Sequence, residues 1–237
     1  MLTAFTPRTV EAMRGRIQGI VDGLIDDLGG AGEIDLIADY VEPLPVTVIA
    51  ELLGVPEADR HLLRPWSADF CLMYEIDPSE ASARKAVAAS LEFGAYLREL
   101  LAERRKRPGD DLISALAAVA DNGDTLTETE LIATCVLLLN AGHEASVNGA
   151  GNGWWTLLRH PAALARLRAE PALMPTALEE LLRFDTPSTL FERWVLEPVE
   201  VAGVELPRGA EIALLFGSAR TSRIVSERGL TPSFLSA

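Results

Sequence analysis

The chain has 237 residues, 49% of them hydrophobic, and its 21 Lys plus Arg against 35 Asp plus Glu give a formal net charge of −14. That length suits one large domain or two smaller ones with a substantial core, and the acidity argues against nucleic acid, whose phosphates are bound by cationic side chains. The N-terminal MLTAFTPR lacks a signal peptide's apolar core, no apolar run nears the ~20 residues of a membrane helix, and the two cysteines, Cys71 and Cys135, are too few for a disulfide framework, so a soluble cytoplasmic protein is expected.

Pro7 to Leu28 reads as an amphipathic helix, with Val10, Met13, Ile17, Ile20, Val21, Leu24 and Leu28 near helical spacing and Gly29-Gly30 as its stop. Val46 to Leu53 follows as a short apolar helix after Pro43 and Pro45, and Asp59 to Cys71 as a weaker one. Ser79 to Arg107 predicts a long helix, terminated by Pro108-Gly109, whose basic run Arg104 to Arg107 complements the C-terminal dipole and reads as a solvated end. Pro161 and Pro175 fall at first-turn positions of two later helices, where a missing N–H costs nothing. Phe191 to Leu196, Val199 to Val204 and Ile212 to Phe216 read as short strands punctuated by turns. The fold class is mainly α, with a small β-sheet element near the C-terminus.

The chain is organised around Leu131 to Leu158, which predicts one long, mostly buried helix. Thr127 to Glu130 supplies a capping box at its start. Asn140, Glu144, Asn148 and Asn152 recur every four residues as a polar stripe. Gly142, Gly149, Gly151 and Gly153 would each cost about 1 kcal/mol relative to Ala inside a helix, tolerable where something such as a flat cofactor approaches the backbone. The same glycines also admit two other readings: tight helix packing, or a helix that ends near Asn148 in a loop.

Ala141-Gly142-His143-Glu144 with Asn148 and Gly151-Asn152-Gly153 resembles the long central helix of the bacterial cytochromes P450. Arg159-His160-Pro161 and Ala177 to Phe184, with a Glu-x-x-Arg motif at Glu180 and Arg183, resemble the next helices. Phe5-Thr6-Pro7 with Val10-Glu11, and Asp110 to Leu116, resemble earlier segments in the right order. The similarity covers residues 1–219, a partial cytochrome P450 domain, and residues 220–237 do not match.

The resemblance implies haem b held against the central helix at Ala141, Gly142 and Ala145, with Glu144 as the acid that relays protons to bound oxygen. Where the family usually has a threonine beside that acid, this chain has Ala145; the nearest hydroxyl, Ser146, is a further ~100° around the helix and is the other candidate catalytic residue. Arg193 matches the arginine that pairs with a haem propionate, a task suited to the guanidinium fork. Spacing alone makes Glu180 and Arg183 an exposed pair of small worth, opposite a face formed by Leu178, Leu181 and Leu182, whereas the resemblance implies a buried pair supporting the haem core. It also places Phe70, Leu72 and Met73 among residues that line a substrate pocket, against plain core packing.

The family's axial ligand is a cysteine thiolate on a glycine-rich loop that this sequence does not show. Cys135 lies about 13 Å along the helix from Glu144, and Cys71 reads as buried core. The expectation is therefore an incomplete copy, without an N-terminal part and the ligand loop, with a frameshift or truncation in the tail. By family it would be a monooxygenase, taking a small-molecule substrate and electrons from a ferredoxin or flavoprotein, with no nucleic-acid or membrane partner. The alternative is a non-catalytic helical remnant that serves as a binding or interaction module.

Overall fold

The computed structural model describes residues 7–30, 32–74, 77–121 and 127–221. Phe5, Thr6 and nearly all of the non-matching tail lie outside them. The chain divides into two compact units, Met1–Val147 and Asn148–Ala237.

The first unit begins with α1 (Pro7–Ala12) and α2 (Arg14–Asp27). These replace the single helix expected over Pro7 to Leu28. The break falls at Met13, whose N–H bonds Val10 O at 3.1 Å. On the expected apolar face Val10 is 48% exposed, while Met13, Ile17, Ile20, Val21, Leu24 and Leu28 are half-buried and none is fully buried. A π-helical turn, Ile37–Val41, leads into α3 (Pro43–Leu53), with Pro43 at its first turn. Gly54 ends α3 at φ +78°, and a Cβ there would lie 2.4 Å from the Asp111 side chain, so both backbone conformation and space demand glycine.

A 3-10 stretch, Glu57–Leu62, precedes α4 (Leu63–Cys71), so the expected weaker helix is two elements. A 3-10 turn, Leu72–Tyr74, closes it. Helix α5 (Glu80–Lys106) is capped by Ser79 Oγ, which accepts the Ser82 N–H at 3.1 Å. At its other end Arg104 is not solvated: its Nε donates to Asp111 at 2.7 Å and its guanidinium reaches Gly54 O at 2.6 Å. Helix α6 (Leu112–Asp121) follows. The core of this unit joins Leu63 and Phe70 of α4, Phe93, Leu97 and Leu101 of α5, and Ile113 and Leu116 of α6. Phe70 packs its ring 6.2 Å from Phe93; of the three candidate lining residues it is core, while Met73 is exposed.

Helix α7 (Glu128–Arg159) is unbroken, which excludes the loop reading at Asn148. Its capping box forms: Glu130 accepts the Thr127 N–H at 2.8 Å, and Thr127 Oγ1 accepts the Glu130 N–H at 3.2 Å. The buried stripe is Leu131, Cys135, Leu139 and His143, in steps of four and none more than 3% exposed, so α7 enters the first unit's core on a face next to the polar stripe.

In the second unit, α8 (Pro161–Ala169) and α9 (Met174–Phe184) pack with the end of α7 through Leu157, Leu167, Ala177 and Leu181. Four short strands follow: β1 (Phe191–Trp194), β2 (Val199–Val201), β3 (Val204–Leu206) and β4 (Glu211–Leu214). They form two antiparallel pairs, β1 with β4 and β2 with β3. The segment expected as one strand, Val199 to Val204, turns back at Ala202 and Gly203, both at positive φ, the backbone a two-residue hairpin needs. The last expected strand ends at Leu214, and Phe216–Thr221 is a 3-10 helix. No described helix is long and apolar enough to cross a membrane.

Candidate functional site

On the first unit, the α7 segment from Asn140 to Ser146 carries the sequence-predicted residues. Ala141, Ala145 and Ser146 are exposed, and Glu144 is half-buried. Ala141 and Ala145 are one turn apart, so their methyl groups leave a shallow open strip beside the Glu144 carboxylate. Gly142 faces elsewhere: an added Cβ would lie 3.2 Å from Ile49 Cδ1. In the second unit, Gly149 is approached by Pro187 and Leu182, and Gly153 by Leu181. At these three positions the close approach that glycine allows is made by protein side chains, the tight-packing alternative.

The polar stripe has partners but is not buried. The Cys71 thiol donates to Asn140 Oδ1 at 3.4 Å, and Asn140 Nδ2 donates to the Tyr74 hydroxyl at 2.6 Å. In the second unit, Asn152 Nδ2 donates to Asp185 O at 3.2 Å. Asn148 is exposed. Cys71 is thus half-buried and hydrogen-bonded, not plain core; burial, with the nearby Glu144 charge, pushes its thiol up to about 11. Burial pushes Cys135 up to about 12. Neither sulfur is a thiolate near neutral pH.

Among the buried polar groups that escaped the sequence reading are His143 and Ser67. His143 Nδ1 lies 2.8 Å from Ser67 Oγ, and both residues are buried, at 3% and 0% exposed. Burial holds the His143 pKa below its ordinary value, against the opposing pull of Glu144 and Glu42. His143 Nε2 has no partner among the described residues. The signal was present in the sequence, since His143 continues the four-residue stripe of Leu131, Cys135 and Leu139, but its partner is 76 residues away.

The second unit holds Glu180, Arg183 and Arg193. Arg183 grips Glu180 with two bonds, 2.6 and 2.8 Å, and Glu180 is 2% exposed. The exposed-pair reading is therefore wrong: the buried face of α9 is Ala177, Glu180 and Leu181, while Leu178 and Leu182 are exposed. The bidentate bond also raises the Arg183 pKa. Arg193, on β1 opposite Ile212, is exposed, lies 5.1 Å over the Phe191 ring and donates to Glu192 O. No carboxylate of a described residue pairs with it.

A family model described as Cytochrome P450 matches residues 75–222. The chain belongs to the cytochrome P450 family. Cytochrome P450 107B1 of Saccharopolyspora erythraea is 42% identical over 220 residues, 92% of this chain and 53% of that protein. The 6-deoxyerythronolide B hydroxylase of the same organism is 40% identical over 216 residues, 91% of this chain and 52% of that protein. The crystal structure of P450BioI with an acyl carrier protein carrying hexadec-9Z-enoic acid superposes at a TM-score of 0.86 and 35% identity, covering 94% of this chain and 57% of that one. This cytochrome P450 chain thus spans about half the length of the relatives it matches.

Proposed function

We propose that this chain carries the proton-delivery helix and part of the substrate-covering surface of a monooxygenase acting on a small, largely apolar molecule. The observation that carries the reading is the α7 strip, where half-buried Glu144 stands beside exposed Ala141 and Ala145. The net reaction inserts one oxygen atom of O2 into a C–H bond and reduces the other to water, with two protons and two electrons from a ferredoxin or flavoprotein.

Haem b, when bound, supplies the iron at which dioxygen is reduced. The residues present fit it in part. In the first unit, the strip of small side chains admits a flat group; in the second, taken by itself, the Arg193 guanidinium, which pairs with no carboxylate of a described residue, suits a propionate. Neither Cys71, whose thiol donates to Asn140 Oδ1, nor Cys135, buried in the first unit's core, is placed to hold the iron. Glu144 is half-exposed, so it can take a proton from solvent and hold it at its carboxylate on the strip. Ser146 lies further round the helix and Ala145 has no hydroxyl, so Glu144 acts there without a neighbouring alcohol.

The test grafts this chain over the matched segment of Cytochrome P450 107B1. A holoenzyme whose turnover falls at least tenfold on Glu144→Gln supports the reading. A chimera that binds haem and turns over equally well with Gln would remove Glu144 from the chemistry and overturn the reading of α7 as a proton-delivery helix.

A further inference from the structure

Two side-chain contacts tie α4 to α7 just before Glu144. Ser67 Oγ lies 2.8 Å from His143 Nδ1, and Cys71 Sγ lies 3.4 Å from the Asn140 amide. Ser67 and Cys71 are one turn apart on α4, as Asn140 and His143 are on α7, so the contacts form two rungs between facing sides of the helices. The His143 rung is the buried one, its residues 3% and 0% exposed. It stands in either imidazole tautomer, since a serine hydroxyl can donate or accept. In both tautomers Nε2 has no partner among the described residues, whereas an apolar pair of the same shape would fill the core without that cost. Stability therefore does not account for the pair, but direction does. Leu131, Cys135 and Leu139 hold α7 by apolar burial, which is non-directional. The next residue along that line, Val147, is only half-buried, at the edge of the first unit. The His143 bond thus sets the rotation of α7 where the apolar grip ends.

We infer that Ser67 and His143 are positioning residues for Glu144, their hydrogen bond fixing the rotation of α7 that holds the carboxylate beside the strip of Ala141 and Ala145. The inference rests on the monooxygenase reading above and deepens it by naming what keeps the acid in place. Glu144 follows His143 by ~100° of helix, and a side-chain tip about 6 Å from the axis moves about 1 Å for a turn of ~10°. A misplacement of that size is enough to lose most of the advantage of a positioned proton donor.

In the chimera with Cytochrome P450 107B1, a double-mutant cycle reads whether Ser67 and Glu144 act through one another. Ser67→Ala should lower kcat about fivefold, and Glu144→Gln, which costs about tenfold in the unmodified chimera, should then cost about twofold or less. A purely structural Ser67 would change holoenzyme yield and leave the Glu144→Gln factor at about tenfold, and that result would overturn the inference. If the imidazole left alone unfolds the chimera, Ser67→Ala with His143→Phe removes both polar groups and carries the same cycle. The haem-free 237-residue chain gives a second readout. There, Ser67→Ala should loosen the neighbouring rung and speed alkylation of Cys71 by N-ethylmaleimide about threefold or more, located by peptide mass spectrometry. An unchanged rate would show that Ser67 does not tie the two helices. Should Glu144→Gln cost nothing in the unmodified chimera, the monooxygenase reading fails and this inference with it; should it cost the same in both backgrounds, only this inference fails.

Discussion

Arg183 reaches back one turn along α9 and closes two hydrogen bonds on Glu180, a carboxylate only 2% exposed. Removing the guanidinium strands a buried charge, which costs about 3–5 kcal/mol when a buried pair is broken. Arg183→Ala should therefore lower the urea midpoint sharply and reduce haem content in the chimera. Full haem content and unchanged stability in that variant would mean the pair does no structural work.

The His143–Ser67 contact sets a pH dependence. Because burial lowers the His143 pKa, the unfolded chain binds a proton that the native chain refuses once pH falls below about 6.5. Native stability contributed by this site is thus intact above that value and lost progressively as pH drops toward the lowered pKa. His143→Gln should flatten the slope of unfolding free energy between about pH 7 and 5. An identical slope in wild type and variant would show that the imidazole titrates normally.

Two glycines should respond in opposite directions to alanine. At Gly153 a Cβ meets only Leu181 Cδ1, at an ordinary 3.7 Å, so Gly153→Ala should gain up to about 1 kcal/mol of helix propensity. At Gly54 the positive φ and the Asp111 side chain at 2.4 Å both oppose a side chain, and Gly54→Ala should lose more than about 1 kcal/mol. Denaturant titration of both variants reads the two signs.

Ala145 leaves the acid of the strip without an adjacent hydroxyl. In the chimera, Ala145→Thr should raise the fraction of reducing equivalents that appear in product, measured by comparing cofactor oxidation with product and peroxide. No change with a substrate lacking its own nearby hydroxyl would remove the role given to this position.

The chain alone should not form a thiolate-ligated haem protein. Cys135 is fully buried in the first unit's core and the Cys71 thiol is committed to Asn140 Oδ1, so neither sulfur stands at an open face where iron could reach it. Adding haem, reducing and exposing to carbon monoxide should give no red-shifted Soret band. A stoichiometric band of that kind would assign one of these two sulfurs as the ligand.

Local signals carried much of the fold. The Thr127–Glu130 box, the Pro108-Gly109 stop and the first-turn prolines Pro161 and Pro175 act within a turn of themselves, so the start of α7, the end of α5 and the starts of α8 and α9 were legible from neighbouring residues, whereas α3 begins at Pro43 and not at the expected Val46. Family membership was legible too, since ordered short motifs survive in the sequence whatever the packing. Which face of a helix is buried was decided only by tertiary structure. Spacing put Leu178, Leu181 and Leu182 on the covered face of α9, yet packing chose Ala177, Glu180 and Leu181, because a buried carboxylate is tolerable once Arg183 satisfies it. The α7 glycines looked like room for a cofactor until Ile49, Pro187 and Leu181 were seen to fill it. Arg104 read as a solvated cation until Gly54 O and Asp111 met it across 50 and 7 residues. The partners of His143 and Asn140 are 76 and 66 residues distant. Such hydrogen bonds depend on where two remote segments meet in space, which no periodicity encodes.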